Sequence, residues 1–394
     1  MIPRTLFDEY HEMFRDQLKR FIAKEILPYY ADWEEAGIVP RSIWEKAGAE
    51  GFLCTNVPEE YGGMGGDFLH SAIMIEEMAR AGCTTPTFYL HSEIISPYLV
   101  HHGTESQKQR WLPKMATGEL ITSLGMSEPS GGSDVQNMRT SAIRDGDGYV
   151  INGQKTFITS GFNADLVVLA CKTDPSKGAQ GVSLILVETD RPGFDRGRML
   201  NKIGCKGQDT AELFFDDLRV PVANLLGAEG HGFGILMEEL SQERLVQAIR
   251  AVSSAEAAIE WTIAYTTERE MFGQTLADFQ NTQFKLAELT AQVAAQRVFV
   301  DRCTELHVAG QLDPVDGAVV KMVTTELQFK VMDECLQLHG GWGYMTEYPI
   351  ARAFVDARLG RIGGGSIETM KSIIARSIMP GLQRKKPAPT NAHT

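Results

Sequence analysis

The sequence lacks paired cysteines, long apolar runs and any surplus of positive charge. Its six cysteines, Cys54, Cys83, Cys171, Cys205, Cys303 and Cys335, form no CxxC pair, which speaks against a disulfide framework or a zinc site and for reduced thiols. No apolar run approaches the roughly 20 residues of a membrane span. The net charge of −13 speaks against nucleic acid or an anionic membrane as a general partner, since both reward a basic surface. A local basic pocket for a small phosphorylated ligand is still allowed. The first residues, Met1 to Glu9, show neither a basic segment followed by an apolar core nor an Arg/Ser-rich, acid-poor composition, so the expected location is cytoplasmic.

What is present is ordinary for a soluble globular chain: 394 residues, 43% hydrophobic and 23% charged, enough for about two or three domains. Residues 1–118 carry helical spacing, as in Phe14, Leu18, Phe21, Ile22 and Ile26. From 119 to 228 the pattern changes to strands, with Asn152-Gly153 predicting a hairpin turn between Tyr149–Ile151 and Thr156–Thr159. Residues 229–384 return to long helices, where Leu286, Leu289, Val293, Val300 and Cys303 keep helical spacing and a self-associating bundle is expected. Residues 385–394 read as a polar tail. The fold class is α+β: a helical N-terminal domain, a middle sheet or barrel-like domain and a C-terminal four-helix bundle.

Two stretches point to chemistry. Near the C-terminus Gly363, Gly364 and Gly365 run into Ser366, with Ile367, Met370, Ile374 and Ile378 at helical spacing behind it. A glycine loop opening a capped helix can cradle an anion, because unpaired N–H groups face outward there. It is neither a P-loop, lacking Gly-Lys-Ser/Thr, nor a G-x-G-x-x-G after a strand. The second stretch carries Ser127, Ser130 and Ser133 on a loop with Pro129, Gly131 and Gly132. Short donors on such a loop suit a polar heteroaromatic ligand, although composition alone favours a plain surface turn.

Four segments in order carry a resemblance. Met126–Val135 (Met-Ser-Glu-Pro-Ser-Gly-Gly-Ser-Asp-Val) resembles T-E-P-x-A-G-S-D, and Lys155–Gly161 resembles K-x-W/F-I-T/S-N-G. Arg269–Gly273 with Phe279-Gln280 resembles R-x-x-F-G…Q. Gln337–Tyr344, Glu347–Pro349 and Asp356-Ala357 resemble Q-x-x-G-G-x-G-Y…E-Y-P…D-A. Together they resemble the acyl-CoA dehydrogenases, over about residues 5 to 380. The resemblance implies FAD, an acyl-CoA substrate, an electron-transfer flavoprotein as partner and a homotetramer built as a dimer of dimers. It also implies residue roles. Met126 and Ser127 contact the flavin ring, and Ser133 touches the cofactor and the acyl-CoA mouth. Phe157 covers the ring and the Thr159 hydroxyl points at flavin N5. Arg269, Phe272, Gln280, Gln337 and Gly341 hold the pyrophosphate and adenosine, partly across a subunit boundary. Gly365, Ser366 and Glu368 close on the dinucleotide.

One departure matters. Most of the family has a catalytic Glu in a Y-E-G-T loop; here the window is Gly363–Ser366 and the position falls on Gly364, which leaves only a backbone N–H to polarise a thioester carbonyl. In the long-chain and isovaleryl branches the base stands on a helix just before an Arg, a position that here reads Glu243-Arg244. The resemblance therefore makes Glu243 the base and Arg244 a substrate-binding residue. Being i, i+1 neighbours, the two point about 100° apart, so Arg244 need not neutralise Glu243. The implied reaction is α,β-dehydrogenation of a saturated acyl-CoA to the trans-2-enoyl-CoA. The alternatives are a flavin monooxygenase of the same fold, a longer oxidase-type relative, and a nucleic-acid-associated flavoprotein, which the acidic composition disfavours.

Overall fold

Capping fixes the first helices. α1 (Glu9–Phe21) starts where the Asp8 carboxylate accepts the His11 N–H at 3.0 Å and the His11 ring accepts the Asp8 N–H in return. α2 (Tyr30–Ala36) and α3 (Ser42–Ala49) lead to α4 (Phe68–Arg80), which Asp67 caps in the same way and which is buried on nearly every face. A helix buried nearly all round lies between other elements, and α4 is the centre of this layer. Leu90–Ile95 form a wide π turn that runs into α5 (Ser96–His102), and α6 (Glu105–Ala116) closes the layer behind a Thr104 cap. This computed structural model describes residues 2–379 and 381; the polar tail expected at 385–394 lies outside them.

The buried His91 joins the helical layer to the sheet. Burial pushes its pKa down to about 4, so the ring is neutral. Its Nε2 donates to the Met115 carbonyl at 3.0 Å, and its Nδ1 accepts from the Thr122 hydroxyl at 2.8 Å.

The strands are β1 (Thr122–Gly125), β2 (Ser141–Asp145), β3 (Gly148–Ile158), β4 (Leu166–Lys172), β5 (Val182–Glu188), β6 (Phe194–Met199), β7 (Ala211–Pro221) and β8 (Leu225–Leu226). They lie in the order β6-β7-β3-β2-β4-β5-β8, with β1 parallel to β4. Every residue of β4 is buried, the mark of a strand covered on both faces. The expected hairpin at Asn152-Gly153 is not there. β3 runs straight through it, and the β2–β3 turn is made by Gly146 at φ +62°. Gly153 instead sits in a bulge against β7 at φ +144°, where an added Cβ would lie 2.7 Å from Thr140 Cα. Two Asp-Gly pairs stood just upstream, and they took the turn.

α7 (Gly232–Glu268), the two-residue strands β9 (Glu270–Met271) and β10 (Gln274–Thr275), α8 (Gln280–Val308) and α9 (Pro314–His339) form the C-terminal bundle. α10 (Pro349–Gly360) and α11 (Ile367–Ile378) pack on α9. α7 spans 37 residues, about 55 Å, and touches α4, α5, β5, α8 and α9. Buried Ala248, Ala251, Ala255 and Ala258 let neighbouring backbones approach it closely. Among the described residues no helix is long and apolar enough to cross a membrane.

Candidate active site

Glu243 stands about three turns into α7, is only 5% exposed, and accepts the Tyr98 hydroxyl at 2.9 Å. Burial pushes its carboxyl up to about 7; the Tyr98 donor and the charge of Arg244 oppose that shift and the charge of Glu239 adds to it. A carboxyl with this pKa can exchange a proton near neutrality, which is what a general base requires. Arg244 turns the other way. Its Nη1 donates to the Pro314 carbonyl at 3.2 Å, its Nε has no partner among the described residues, and burial lowers its pKa. Gln242 donates to the Glu93 carbonyl at 2.6 Å, tying α7 to the π turn, where burial pushes the Glu93 carboxyl up to about 7 as well.

The glycine loop reaches the same face of α7. Gln247 follows Glu243 by one turn, and a Cβ on Gly364 would lie 3.3 Å from Gln247 Cγ. Gly364 and Gly365 have φ of +63° and +89°, which glycine alone adopts freely. Among the described residues no backbone carbonyl accepts the Gly364 N–H. Lys321 holds the loop from below, donating to the Gly365 carbonyl at 2.5 Å; burial and the charge of Arg244 bring its pKa down to about 8. Ser366 caps α11 by accepting the Thr369 N–H at 3.3 Å, and Glu368 is exposed in the first turn.

The serine loop and the end of β3 lie side by side. The Ser127 carbonyl accepts the Thr156 N–H at 2.9 Å, and the Ser123 hydroxyl donates to the Thr159 carbonyl at 2.6 Å. Beneath them Lys155 Nζ donates to the Met126 carbonyl at 3.0 Å and pairs with Glu128 at 2.8 Å. Burial alone would raise the Glu128 pKa, but Lys155 and the N–H groups of Arg139 and Thr140 hold it at about 2. Two residues inside the sequence motifs therefore act as a clamp that fixes Met126 and Ser127. Phe157 and Ser160 have φ of +61° and +59°, unusual for residues with side chains, and Phe157 is 69% exposed. A strained strand end that presents an aromatic ring outward beside short donors fits a flat heteroaromatic group such as flavin. Ser133 lies exposed on the same loop.

Arg269, Phe272, Gln280, Gln337 and Gly341 gather elsewhere. Tyr265 stacks on His339 at 4.3 Å and donates to its carbonyl at 3.1 Å, which brings the end of α7 beside the Gly340–Tyr344 turn. All five residues are exposed there, Phe272 at 89%. The 25 residues from Glu243 to Glu268 put this end about 38 Å from Glu243. The expected dinucleotide residues thus fall in three places in one chain: the serine loop with the end of β3, the glycine loop before α11, and the far end of α7 with the Gly340–Tyr344 turn. The sequence reading missed Tyr98, which sat in an apolar run and read as core, and Gln247 and Lys321, which no motif marks.

Family models for the acyl-CoA dehydrogenase N-terminal, middle and C-terminal domains match residues 8–119, 123–218 and 230–379. The long-chain specific mitochondrial acyl-CoA dehydrogenase of Sus scrofa is 47% identical over 378 residues, covering 95% of this chain and 88% of that protein. The crystal structure of an acyl-CoA dehydrogenase from Geobacillus kaustophilus is 49% identical with a TM-score of 0.94, over 96% of this chain and 100% of that one. One from Bacillus anthracis complexed with FAD is 32% identical with a TM-score of 0.90, over 95% of this chain and 67% of that one. With its three domains matched in order, the chain belongs to the acyl-CoA dehydrogenase family, and it is an oxidoreductase with FAD as its cofactor.

Proposed function

We propose that the protein dehydrogenates a saturated acyl-CoA thioester to the trans-2-enoyl-CoA, with Glu243 as the base. The observation that carries this reading is the Glu243 carboxyl itself: buried, held by Tyr98, pushed up to about 7, and one helical turn from the residue that packs on Gly364. Glu243 takes the proton from the carbon next to the thioester carbonyl. The N–H of Gly364 donates to the carbonyl oxygen, where charge grows as the proton leaves. FAD, when bound, supplies the acceptor for the β-hydride, which no side chain can take. Met126, Ser127, Phe157 and Thr159 form the wall against which the ring rests, with Ser133 at the substrate mouth and Arg244 behind the base. Gly365, Ser366 and Glu368 close the opposite side.

The exposed group of Arg269, Phe272, Gln280, Gln337 and Gly341 serves a dinucleotide reached from a second copy of the chain. Its distance from Glu243 and the exposed Phe272 ring support a homotetramer assembled as a dimer of dimers. Electrons leave to an electron-transfer flavoprotein. Anaerobic mixing with saturated acyl-CoAs tests the whole reading: the flavin absorbance bleaches in the native protein, and Glu243→Gln keeps FAD and fold while bleaching slows by several orders of magnitude. Bleaching at a near-native rate in that variant would remove Glu243 from the role.

A further inference from the structure

Glu243, Gln247 and Arg250 stand at i, i+4 and i+7 on α7 and so share one face of the helix. The row continues backward to Glu239, where the exposed His101 and the partly exposed His102 meet it at 2.8 and 3.0 Å, so that end opens toward solvent. In the other direction it closes. Arg250 lines a narrow cavity of about 10 Å³ between α4, the π turn and α7, walled by Met74, Met78, Phe88 and Tyr89. Glu243, Gln247 and Gly364 do not line this cavity; the shared face of α7 and the Gln247 side chain link it to them, and the group at its end is a guanidinium.

Arg250 is partly buried and lies over the Tyr89 ring at 4.2 Å, with Nη1 donating to Gln247 Oε1 at 3.2 Å. No carboxylate pairs with it among the described residues. Asp356, on which the charge of Arg250 acts, is committed to the Cys205 N–H and is pushed up to about 6 by burial. Arginine at the end of a methionine- and phenylalanine-walled cavity is costly unless something answers it, and its planar fork matches a carboxylate. The Gln247 amide offers two further donors beside it once its oxygen is taken by Arg250.

We propose that Arg250, with Gln247, is the specificity determinant of the acyl cleft and selects an acyl-CoA whose chain ends in a carboxylate. The proposal rests on the dehydrogenase reading and names its substrate class. Arg250 lies about 10 Å along α7 from Glu243, so it acts on the tail and leaves the reacting carbons to the base.

The test compares two CoA esters of equal chain length, one ending in a methyl group and one in a carboxylate, against the native holoenzyme and Arg250→Met. In the native protein the carboxylate-ended ester reduces the flavin with the higher kcat/KM. Arg250→Met reverses that preference by about 10- to 100-fold, the range of one buried charged hydrogen bond, while the methyl-ended ester reacts as before or better. Equal losses with both esters would make Arg250 a packing residue and overturn the proposal, and so would a native preference for the methyl end. If neither ester bleaches the flavin, the dehydrogenase reading fails separately. Calorimetric binding of the same two esters then decides the tail selection: a carboxylate preference that Arg250→Met abolishes supports it, and equal affinities overturn it.

Discussion

The Tyr98 hydroxyl donates to Glu243, and a donor on a carboxylate favours the ionised form, while the nearby charge of Glu239 disfavours it. These two neighbours pull the Glu243 carboxyl in opposite directions, so removing each one makes a signed prediction. Tyr98→Phe raises the Glu243 pKa, and the acidic limb of the pH profile for flavin reduction moves up by about one unit, the value of one hydrogen bond to a charged group. Glu239→Gln moves the same limb down. Shifts of the same sign in both variants would show that another group sets the profile. This pair also marks what the sequence could reveal. Glu243 was marked as a candidate because a family motif singles out the residue before Arg244. Tyr98 was not, because a tyrosine in an apolar helical run looks the same whether its hydroxyl meets water or a carboxylate 145 positions away.

At the scale of the element, the glycine loop before α11 shows how little one composition signal specifies. Three glycines read as a cradle for an anion, but their geometry differs. Gly363 has an ordinary backbone, and an added Cβ would meet nothing nearer than 3.7 Å. Gly364 combines φ +63° with a contact at 3.3 Å to Gln247, and Gly365 combines φ +89° with one at 2.8 Å to Met370 Cε. Left-handed backbone costs a residue with a side chain about 1–2 kcal/mol. Gly363→Ala should therefore leave the thermal midpoint nearly unchanged. Gly364→Ala should cost about 1–2 kcal/mol by strain alone, and Gly365→Ala should cost more, because Met370 must also shift. A thermal or denaturant series over the three variants checks the order, and equal effects at all three would refute it. The misread hairpin at Asn152-Gly153 has the same origin: a glycine signals freedom of φ, and a bulge uses that freedom as readily as a turn does.

For the whole molecule, the order of helical, sheet and helical layers was legible because hydrophobic periodicity changes from 3.6 to 2 and back along the chain. What joins the layers was not, since it depends on charges far apart in sequence. Glu76 on α4 is 2% exposed and meets three guanidiniums: Arg4 at 2.7 Å, Arg15 at 3.0 Å and Arg297 of α8 at 2.9 Å. Arg4 also pairs with Asp301 at 2.8 Å, so the N-terminal arm, α1, α4 and the bundle meet at one carboxylate. Burial alone would raise the Glu76 pKa, but the charges of Arg297, Arg4 and Arg15 outweigh it and hold the group at about 2. A carboxylate whose pKa is lower folded than unfolded contributes stability that is present above the unfolded value of about 4.5 and lost as pH falls toward 2. Glu76→Gln keeps the shape but leaves buried positive charges facing one another, and should cost about 3–5 kcal/mol at neutral pH. It should also flatten the acid limb, because the variant no longer has this group to protonate. Denaturation midpoints of both proteins across that window provide the check. An unchanged neutral midpoint, or an equally steep acid limb in the variant, would mean that the layers are held by apolar packing and the cluster only decorates the junction.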